Sequence, residues 1–298
     1  MTHYQLVASN KRKSVLVVFF FLVFIGLASY AMAIGFGYGL DMVGMALVLA
    51  GGFSFASYWW SDKIILGLSK AKPANRSQHF DFYTVAENLS SSQRMPMPKL
   101  YVIEDTAMNA FATGRSPEKA VVCATTGLLS RLNRSEIEGV IAHELSHVKN
   151  YDMLLMSLVT ILVGFLSLLA DWMMRSSFGG RRSRDRSDSQ LQGIFMVVGL
   201  VLALLSPLIA NLIKLAISRR REFLADASGV AMTKNPQGLI KALTKISQDK
   251  QPLEAANKAT AHLYISNPLK NSKNAVGWFS KMFMTHPPVR ERVEALRG

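Results

Sequence analysis

The sequence predicts an α+β protein in which a small β-sheet and a helix with two histidines are joined to four apolar helices. Hydrophobic residues make up 50% of the 298 residues, and they are concentrated in four blocks that charged segments separate. Blocks of about 18 or more apolar residues are typical of membrane-spanning helices. Short runs of alternating apolar residues in the charged segments predict strands. We therefore expect a membrane-embedded part and a soluble part in one chain.

The first two apolar blocks are residues 14–33 and 42–60. The first follows the basic run "NKRK" and contains "AMA", as a signal peptide can, but its length favours a retained helix. Trp59 and Trp60 close the second block, where aromatic side chains often lie at the membrane interface. The link "IGFGYGLD" has no Lys or Arg, whereas both flanks are basic. The positive-inside rule therefore places both flanks in the cytoplasm.

The later two apolar blocks are residues 153–170 and 191–213. Each is long enough to span, and their lengths favour full crossing. Crossing would place the arginine-rich linker "RSSFGGRRSRDRSDSQ" outside, against the positive-inside rule, whereas a pair that enters and returns would keep it inside. The sequence leaves this topology open.

The net charge of +14 and the single cysteine exclude some classes of protein. Nucleic-acid binding is not expected, because neither a compact basic helix nor an aromatic–basic sheet pattern is present. An anionic membrane surface and plain solubility are alternatives, but with several spans the positive-inside effect explains the charge most economically. Cys123 alone excludes an internal disulfide. In "AVVCATTG" we expect it to be a buried strand residue rather than a thiol that keeps a metal site latent.

The soluble segment after the second block predicts three strands and a helix. The strands are "KLYVIED", "MNAFATG" and "KAVVCATTG". A helix is predicted to begin near Ser135, because Ser135 and Glu138 have the spacing of a capping box. The apolar stripe of this helix consists of Ile137, Val140, Ile141 and Val148.

The stretch "VIAHELSHVKNYD" carries the pattern His-Glu-x-x-His. On a helix, His143 and His147 lie on one face one turn apart, so both can bind one metal ion. Glu144 follows His143 and would lie beside the ion. Zinc lowers the pKa of water, and a nearby carboxylate can take its proton and later deliver it to the leaving amine. The pattern therefore predicts a zinc hydrolase in which Glu144 is the general base and acid.

A catalytic zinc site needs a third protein ligand. Glu222 and Asp226 share one face of the helix predicted for "RRREFLADASG", so one could bind zinc while the other orients a ligand imidazole. Glu222 could instead pair with its neighbouring arginines. Asp152 could contact an imidazole, but we expect it to have a helix-end role. The residues alone leave the third ligand open among Glu222, Asp226, His262 and His286.

Four segments, "MNAFATG", "HELSH", "RREFLADASG" and "THPPVRERVEAL", resemble in this order the HtpX type of bacterial membrane zinc protease, which is related to the CAAX prenyl proteases. Two apolar blocks precede the first of the paired histidines and two follow it, so the resemblance covers nearly the whole chain. It implies a zincin-like catalytic domain with one catalytic Zn²⁺. It also implies that Glu222 is the third zinc ligand and that Asp226 supports the site from behind.

The resemblance implies further site residues. His286 would steady the oxyanion of the tetrahedral intermediate, which needs a donor beside the metal, and Arg292 would accompany it. An edge strand would align the substrate by backbone pairing, which does not depend on side chains. The plainer alternatives are a turn residue at Asn109 and a loop histidine at His286. The substrate strand comprises Asn109, Ala110, Phe111 and Ala112.

These expectations divide the chain into four segments. Residues 1–62 would form two N-terminal transmembrane helices, and residues 63–152 the first part of the catalytic domain with the His-Glu-x-x-His helix. Residues 153–217 would form a hydrophobic helical hairpin with the arginine-rich linker. Residues 218–298 would complete the catalytic domain and supply the third zinc ligand.

The predicted function is a zinc endopeptidase in the bacterial cytoplasmic (inner) membrane, with several spans and a catalytic domain that faces the cytoplasm. The resemblance implies that misfolded or damaged membrane proteins under stress are its substrates. The alternative is a catalytically silent membrane scaffold, but a structural zinc site would fill all four positions with protein ligands. A protease for prenylated substrates would need many more spans. Self-cleavage is expected, whereas the sequence predicts neither the cleavage preference nor the oligomeric state.

Overall fold

The computed structural model describes residues 3–36, 39–162, 165, 219–249, 251, 253, 263–265 and 287–297. We number the elements along the chain. The helices are α1 (His3–Phe36), α2 (Leu40–Trp59), α3 (Ser61–Leu68), α4 (Phe80–Ser92), α5 (Thr126–Arg131), α6 (Arg134–Lys149), α7 (Asp152–Leu162), α8 (Arg219–Thr233), α9 (Pro236–Gln248) and α10 (Val289–Arg297). The strands are β1 (Lys72–Pro73), β2 (Lys99–Ile103), β3 (Ala110–Thr113) and β4 (Val121–Thr125).

Two of the described helices are long and apolar enough to cross a membrane, over Gln5–Tyr30 and Leu40–Trp59. They pack against each other, and Val15 and Val48 on their outer faces are 69% and 75% exposed. An exposed apolar face of this extent suits lipid rather than water. Both helices predicted in the N-terminal part are therefore present, and each is long and apolar enough to span a membrane.

The third apolar block begins with α7, whose described residues are almost completely buried. Met153, Leu155 and Val159 have no exposed surface at all. This part of the block packs inside the protein rather than facing lipid. The fourth block, residues 191–213, and the arginine-rich linker lie outside the described residues, so their crossing of the membrane stays a prediction.

The three predicted strands are confirmed, and the short β1 joins them in a sheet of order β1-β2-β4-β3. The strand β4 is parallel to β2 and antiparallel to β3, which lies at one edge of the sheet. Alternate residues of a strand point to opposite faces. On β4, Val122 and Ala124 belong to the core with α6, whereas Val121 and Cys123 belong to the core with α1 and α7. The sheet thus joins the soluble part to the membrane helices.

The helix with the paired histidines begins one residue before the predicted start. Asn133, not Ser135, is its N-cap, and the capping partner is Glu136 rather than Glu138. The Asn133 side chain accepts a hydrogen bond from the Glu136 backbone at 3.0 Å, and Glu136 Oε2 accepts one from the Asn133 backbone at 2.9 Å. The prediction of a capping box was correct, but its position was wrong. Asn caps helices as well as Ser does, so the spacing alone did not decide between the two registers.

Two glycines let other helices approach α6 closely. A Cβ atom at Gly229 of α8 would lie 3.0 Å from the His143 backbone nitrogen, and one at Gly139 of α6 would lie 2.6 Å from the Leu239 nitrogen of α9. The contact at Gly139 is shorter than a side chain tolerates, and the one at Gly229 is tighter than most Cβ contacts, so both crossings favour glycine. Gly229 lies on the same helix as Glu222 and Asp226 and packs against the backbone of His143.

Candidate metal centre

Three buried side chains from two helices meet at the centre of the soluble part: His143 and His147 of α6 and Glu222 of α8. The two Nε2 atoms are 3.3 Å apart. Glu222 Oε2 lies 3.7 Å from Nε2 of His143, and Oε1 lies 3.6 Å from Nε2 of His147. Each of the three side chains is 5% exposed or less. The structure therefore brings together the two predicted histidines and the glutamate that the resemblance implied.

The spacing of these donor atoms fits a metal ion. With metal–ligand bonds of about 2.0–2.1 Å, the edges of a tetrahedral zinc site are roughly 3.3–3.4 Å long. The three measured edges, 3.3, 3.6 and 3.7 Å, are close to that length. Two imidazoles and one carboxylate leave a fourth tetrahedral position for water or substrate, as catalytic zinc sites require. The donor set therefore fits zinc better than it fits calcium or magnesium, which prefer oxygen ligands.

Glu144 lies next to the donor atoms. Its side chain is buried, and it lines a small enclosed cavity together with both histidines, Ala112 of β3 and Met156 of α7. Ala112 belongs to the predicted substrate strand. The carboxylate predicted to act as a base and the strand predicted to hold a peptide therefore face the same space.

His143 is held from behind by an aspartate–arginine pair. Its Nδ1 lies 2.9 Å from Oδ1 of Asp226, so an Nδ1–H that donates to Asp226 leaves Nε2 for the metal. Arg292 of α10 donates to both oxygens of Asp226, at 2.7 and 2.6 Å. Burial acts to raise the pKa of Asp226, but hydrogen bonds from Arg292 and His143 outweigh it and lower the pKa to about 2. Asp226 is therefore a carboxylate at any physiological pH.

His147 is held by a second aspartate, which has both the helix-end position that we expected and the imidazole contact that we kept as the alternative. Asp152 does begin helix α7, but its Oδ2 also lies 3.1 Å from Nδ1 of His147. Its Oδ1 accepts hydrogen bonds from Asn10 of α1, at 2.7 Å, and from Arg221 of α8, at 2.8 Å. Asp152 follows His147 by five positions across the turn between α6 and α7, so helical spacing does not indicate this contact in the sequence. The residues around Asn10 do not indicate a role in the site either.

These carboxylates also set the proton affinity of His147. Burial acts to lower its pKa, whereas the hydrogen bond to Asp152 and the charges of Glu222, Asp152 and Glu144 act to raise it, and the result is a pKa of about 9. Without metal, the imidazole is thus protonated at neutral pH. Metal binding at this site must release that proton.

The predicted substrate strand lies at the sheet edge beside α6. Asn109 is buried just before β3, and its Oδ1 accepts a hydrogen bond from the Ala110 backbone at 3.2 Å. Its backbone N–H donates to Thr125 Oγ1, at 3.0 Å, and its carbonyl accepts from the Thr125 backbone, also at 3.0 Å. Asn109 therefore fixes the start of the strand on β4, while Ala110, Phe111 and Ala112 form the strand itself.

Other sequence candidates lie outside this centre. Cys123 is fully buried in β4, as expected, and burial together with the charge of Glu144 raises the pKa of its thiol well above the usual value. It does not belong to the group of metal-binding side chains found among the described residues. His262 and His286 lie outside the described residues.

Comparison with known proteins agrees with this geometry. Residues 78–298 match the sequence profile of peptidase family M48. A protein named Protease HtpX homolog from Streptococcus uberis is 40% identical over 301 residues, which is 99% of either chain. A Protease HtpX homolog from Dictyoglomus turgidum is 41% identical over 296 residues, covering 99% of this chain and 94% of its own. The crystal structure of S. mikatae Ste24p covers 99% of this chain and 67% of its own chain, with 18% identity and a TM-score of 0.49.

A buried His-His-Glu cluster beside a further buried glutamate, Glu144, and a sheet edge is the arrangement of a metalloprotease centre. The two apolar helices packed on the same sheet make this a membrane-associated metalloprotease. The chain belongs to peptidase family M48. Over nearly its whole length it is similar to proteins named as HtpX-type proteases, as the four sequence segments indicated.

Proposed function

We propose that this protein is a zinc-dependent endopeptidase anchored in the bacterial inner membrane, with its active site at the cytoplasmic face. The observation that carries the proposal is the triangle of donor atoms from His143, His147 and Glu222, with Glu144 at its side. A bound Zn²⁺ would supply a Lewis acid that lowers the pKa of water and polarises the scissile carbonyl.

The chain's own residues would move the protons. Glu144 carries no metal-binding role in the cluster, and its carboxylate faces the cavity between α6 and β3. It accepts a proton from the attacking water and delivers it to the leaving nitrogen of the cleaved peptide. Because Glu144 is buried, its charge is weakly screened, which strengthens its pull on that proton.

Arg292 acts through Asp226 in this proposal. The guanidinium is fully buried and donates to both carboxylate oxygens of Asp226, which in turn lies against His143. This contact supports a positioning role for Arg292, rather than direct contact with substrate. His286 precedes Val289, the first residue of α10, by three positions. It is proposed as the oxyanion donor on the strength of the family resemblance.

Substrate binding is proposed to use the β3 edge. A peptide that pairs with Ala110 and Ala112 would lie beside Glu144, since Ala112 lines the same cavity. Backbone pairing reads no side chains, which suits a protease of unfolded segments. The proximity of the sheet to α1 and α7 supports misfolded membrane proteins as substrates, because their loops emerge next to the bilayer. The same proximity supports cleavage of the protease by other copies of itself.

One experiment tests the enzymatic proposal against a scaffold with a structural zinc site. Zinc content and cleavage of a denatured membrane protein are measured in detergent for the parent and for Glu144→Gln. We expect both proteins to hold one zinc ion per chain and cleavage to fall by at least about 10³-fold in the variant. Self-cleavage should disappear in chelator. Equal cleavage by the two proteins would overturn the role of Glu144, and zinc without cleavage in the parent would favour the scaffold.

The orientation has a separate test. Glu104 is exposed on the soluble part, so Glu104→Cys in a Cys123→Ala background offers one labelling site. If the catalytic part faces the cytoplasm, a membrane-impermeant thiol reagent labels this cysteine only after cells are lysed. Labelling in intact cells would place the active site outside. A cysteine in the link between α1 and α2, at Tyr38, should give the opposite result.

A further inference from the structure

A short piece of the chain, residues 263–265, lies along β3 beside the metal centre. The Ile265 backbone N–H donates a hydrogen bond to the Ala110 carbonyl at 3.0 Å. The Tyr264 ring meets Phe111 edge to face, with ring centroids 5.1 Å apart. Leu263, Tyr264 and Ile265 are all buried, at 3%, 0% and 2% exposure. The edge that a substrate would use is therefore already paired with the protein's own backbone.

The side chains of this piece also close the active-site cavity. Leu263 and Ile265 line it opposite Glu144, and its volume is about 10 Å³. A cavity of that size holds about one water molecule and has no room for a peptide. The two side chains are two residues apart and point to the same side, whereas Tyr264 between them points to Phe111.

We propose that residues 263–265 occupy the substrate position on β3 as an internal competitor, and that they leave before a peptide binds. The inference rests on the proposed function, since it assigns regulation to the same site. It also defines a preference. Because Leu263 and Ile265 face Glu144, the substrate side chains on that side of the strand are apolar and of similar size.

Peptide binding tests the competitor without requiring cleavage. In a Glu144→Gln background, Ile265→Pro removes the donor to Ala110, and Ile265→Val is the matched control that keeps it. The probe is a fluorescent peptide with a Leu-Tyr-Ile core, followed by anisotropy. We expect affinity to rise about five- to tenfold in the proline variant and to stay unchanged in the valine variant, as loss of one competing hydrogen bond predicts.

Tyr264→Ala removes the ring contact with Phe111 and should also raise peptide affinity. It keeps the test valid if the proline variant misfolds. A peptide with Asp in place of Leu and Ile should bind every variant more weakly. Equal or weaker binding of the Leu-Tyr-Ile peptide by both Ile265→Pro and Tyr264→Ala would overturn the proposal. The binding assay does not depend on proteolysis. A parent protein without cleavage activity would therefore contradict the proposed function, whereas the competitor is tested by peptide affinity alone.

A separate observation concerns a groove of about 710 Å³ between α1, α2 and α7. Its walls are apolar side chains such as Val15 and Phe19 of α1 and Phe55 of α2, which are 69%, 56% and 59% exposed. Its floor includes Leu154 and Leu158 of α7. The groove therefore runs along the two membrane helices on their lipid-exposed side.

The end of the groove nearest the soluble part is cationic. Lys11 Nζ lies 4.6 Å from the centre of the Tyr151 ring, and Arg115 Cζ lies 3.9 Å from the centre of the Trp59 ring. Neither cation is within ion-pair distance of a carboxylate among the described residues. Glu118 is the acidic group nearby, and hydrogen bonds from Ser116 and its own backbone, with the charge of Lys11, lower its pKa. Two cations against one carboxylate leave this end positive.

We infer that the groove binds an anionic phospholipid, with the phosphate at Lys11 and Arg115 and an acyl chain along α1 and α2. Charge complementarity selects the headgroup, and the apolar walls match the chain. Both cations lie at the end of the spans that the positive-inside rule places on the cytoplasmic side, where anionic lipids attract basic residues.

Lipid binding to the detergent-purified full chain tests this site. Labelled phosphatidylglycerol and phosphatidylcholine are titrated into the parent, into Lys11→Gln/Arg115→Gln, and into the control Lys72→Gln/Arg76→Gln, whose cations lie on the soluble part. We expect the first variant alone to lose roughly tenfold in affinity for phosphatidylglycerol, with phosphatidylcholine unchanged. Equal affinity of the parent for both lipids would overturn the inference. Absence of any lipid binding would overturn it too.

Discussion

The two histidines of the metal centre lie one helical turn apart on α6, yet different parts of the chain hold their outer nitrogens. Nδ1 of His143 contacts Asp226, and Arg292 of the C-terminal helix α10 donates a hydrogen bond to Asp226. Nδ1 of His147 contacts Asp152, and Asn10 of the apolar helix α1 donates a hydrogen bond to Asp152. One ligand is thus fixed by the soluble part, and the other is fixed by the junction with the membrane. Both parts of the molecule therefore contribute to the support of the centre.

The two supports differ in how completely they are buried. Arg292 has no exposed side-chain surface, whereas the Arg221 side chain, which contacts Asp152, is 10% exposed. A buried cation depends strongly on its carboxylate, because water cannot replace the lost partner. Asp152 has hydrogen bonds from both Asn10 and Arg221, so loss of one contact leaves the other. We therefore expect substitutions behind His143 to destabilise the protein more than substitutions behind His147.

The largest effect is expected from Glu222→Ala, which removes the ligand that both sides share. Metal affinity should fall by more than about 100-fold, since a ligand contributes more than its supporting groups do. Zinc content after dialysis against a dilute chelator measures this. Glu104→Ala, at an exposed ion pair with Lys72, is the matched control and should keep its metal. Unchanged zinc content in Glu222→Ala would remove this residue from the ligand set.

The difference between the supports of His143 and His147 is tested by comparing Asp226→Asn with Asp152→Asn. Each should weaken metal binding by roughly 10–100-fold, because each orients one ligand imidazole. Stability should differ. About 3 kcal/mol is expected to be lost in Asp226→Asn, which leaves the buried Arg292 with only the longer ion pair to Glu222 at 3.9 Å, and about 1.5 kcal/mol in Asp152→Asn. Thermal unfolding of the metal-free proteins gives both values. A larger loss in Asp152→Asn would reverse our ranking of the two supports.

The smallest effect is expected from Asn10→Ala, which tests whether the membrane helix reaches the metal. Alone it should lower metal affinity only a few-fold, since Arg221 still holds Asp152. In an Asp152→Asn background, Asn10→Ala should lower metal affinity little further. In an Asp226→Asn background, it should lower metal affinity by the same factor as in the parent. Full additivity in both pairs would show that Asn10 supports the fold without acting through Asp152.

Local patterns predicted the elements of the site well. The three strands follow from apolar alternation, and His143 and His147 share a face because of helical spacing. The cap of α6 was misplaced by two residues, because Asn133 and Ser135 offer similar capping chemistry within one short stretch. The choice of Glu222 over Asp226 as ligand needed the family resemblance, since both lie on the same face of α8.

The sequence by itself therefore determined that His143, Glu144 and His147 lie on one helix in a pattern typical of metal sites and that two helices are long and apolar enough to span a membrane. Only the tertiary structure decided that Asp152 and Asn10, 142 residues apart, share a hydrogen bond behind His147. It also decided that Ile265 donates a backbone hydrogen bond to Ala110 of β3. Spacing along a helix is a local property of the chain, whereas contacts between distant segments exist only after packing brings them together.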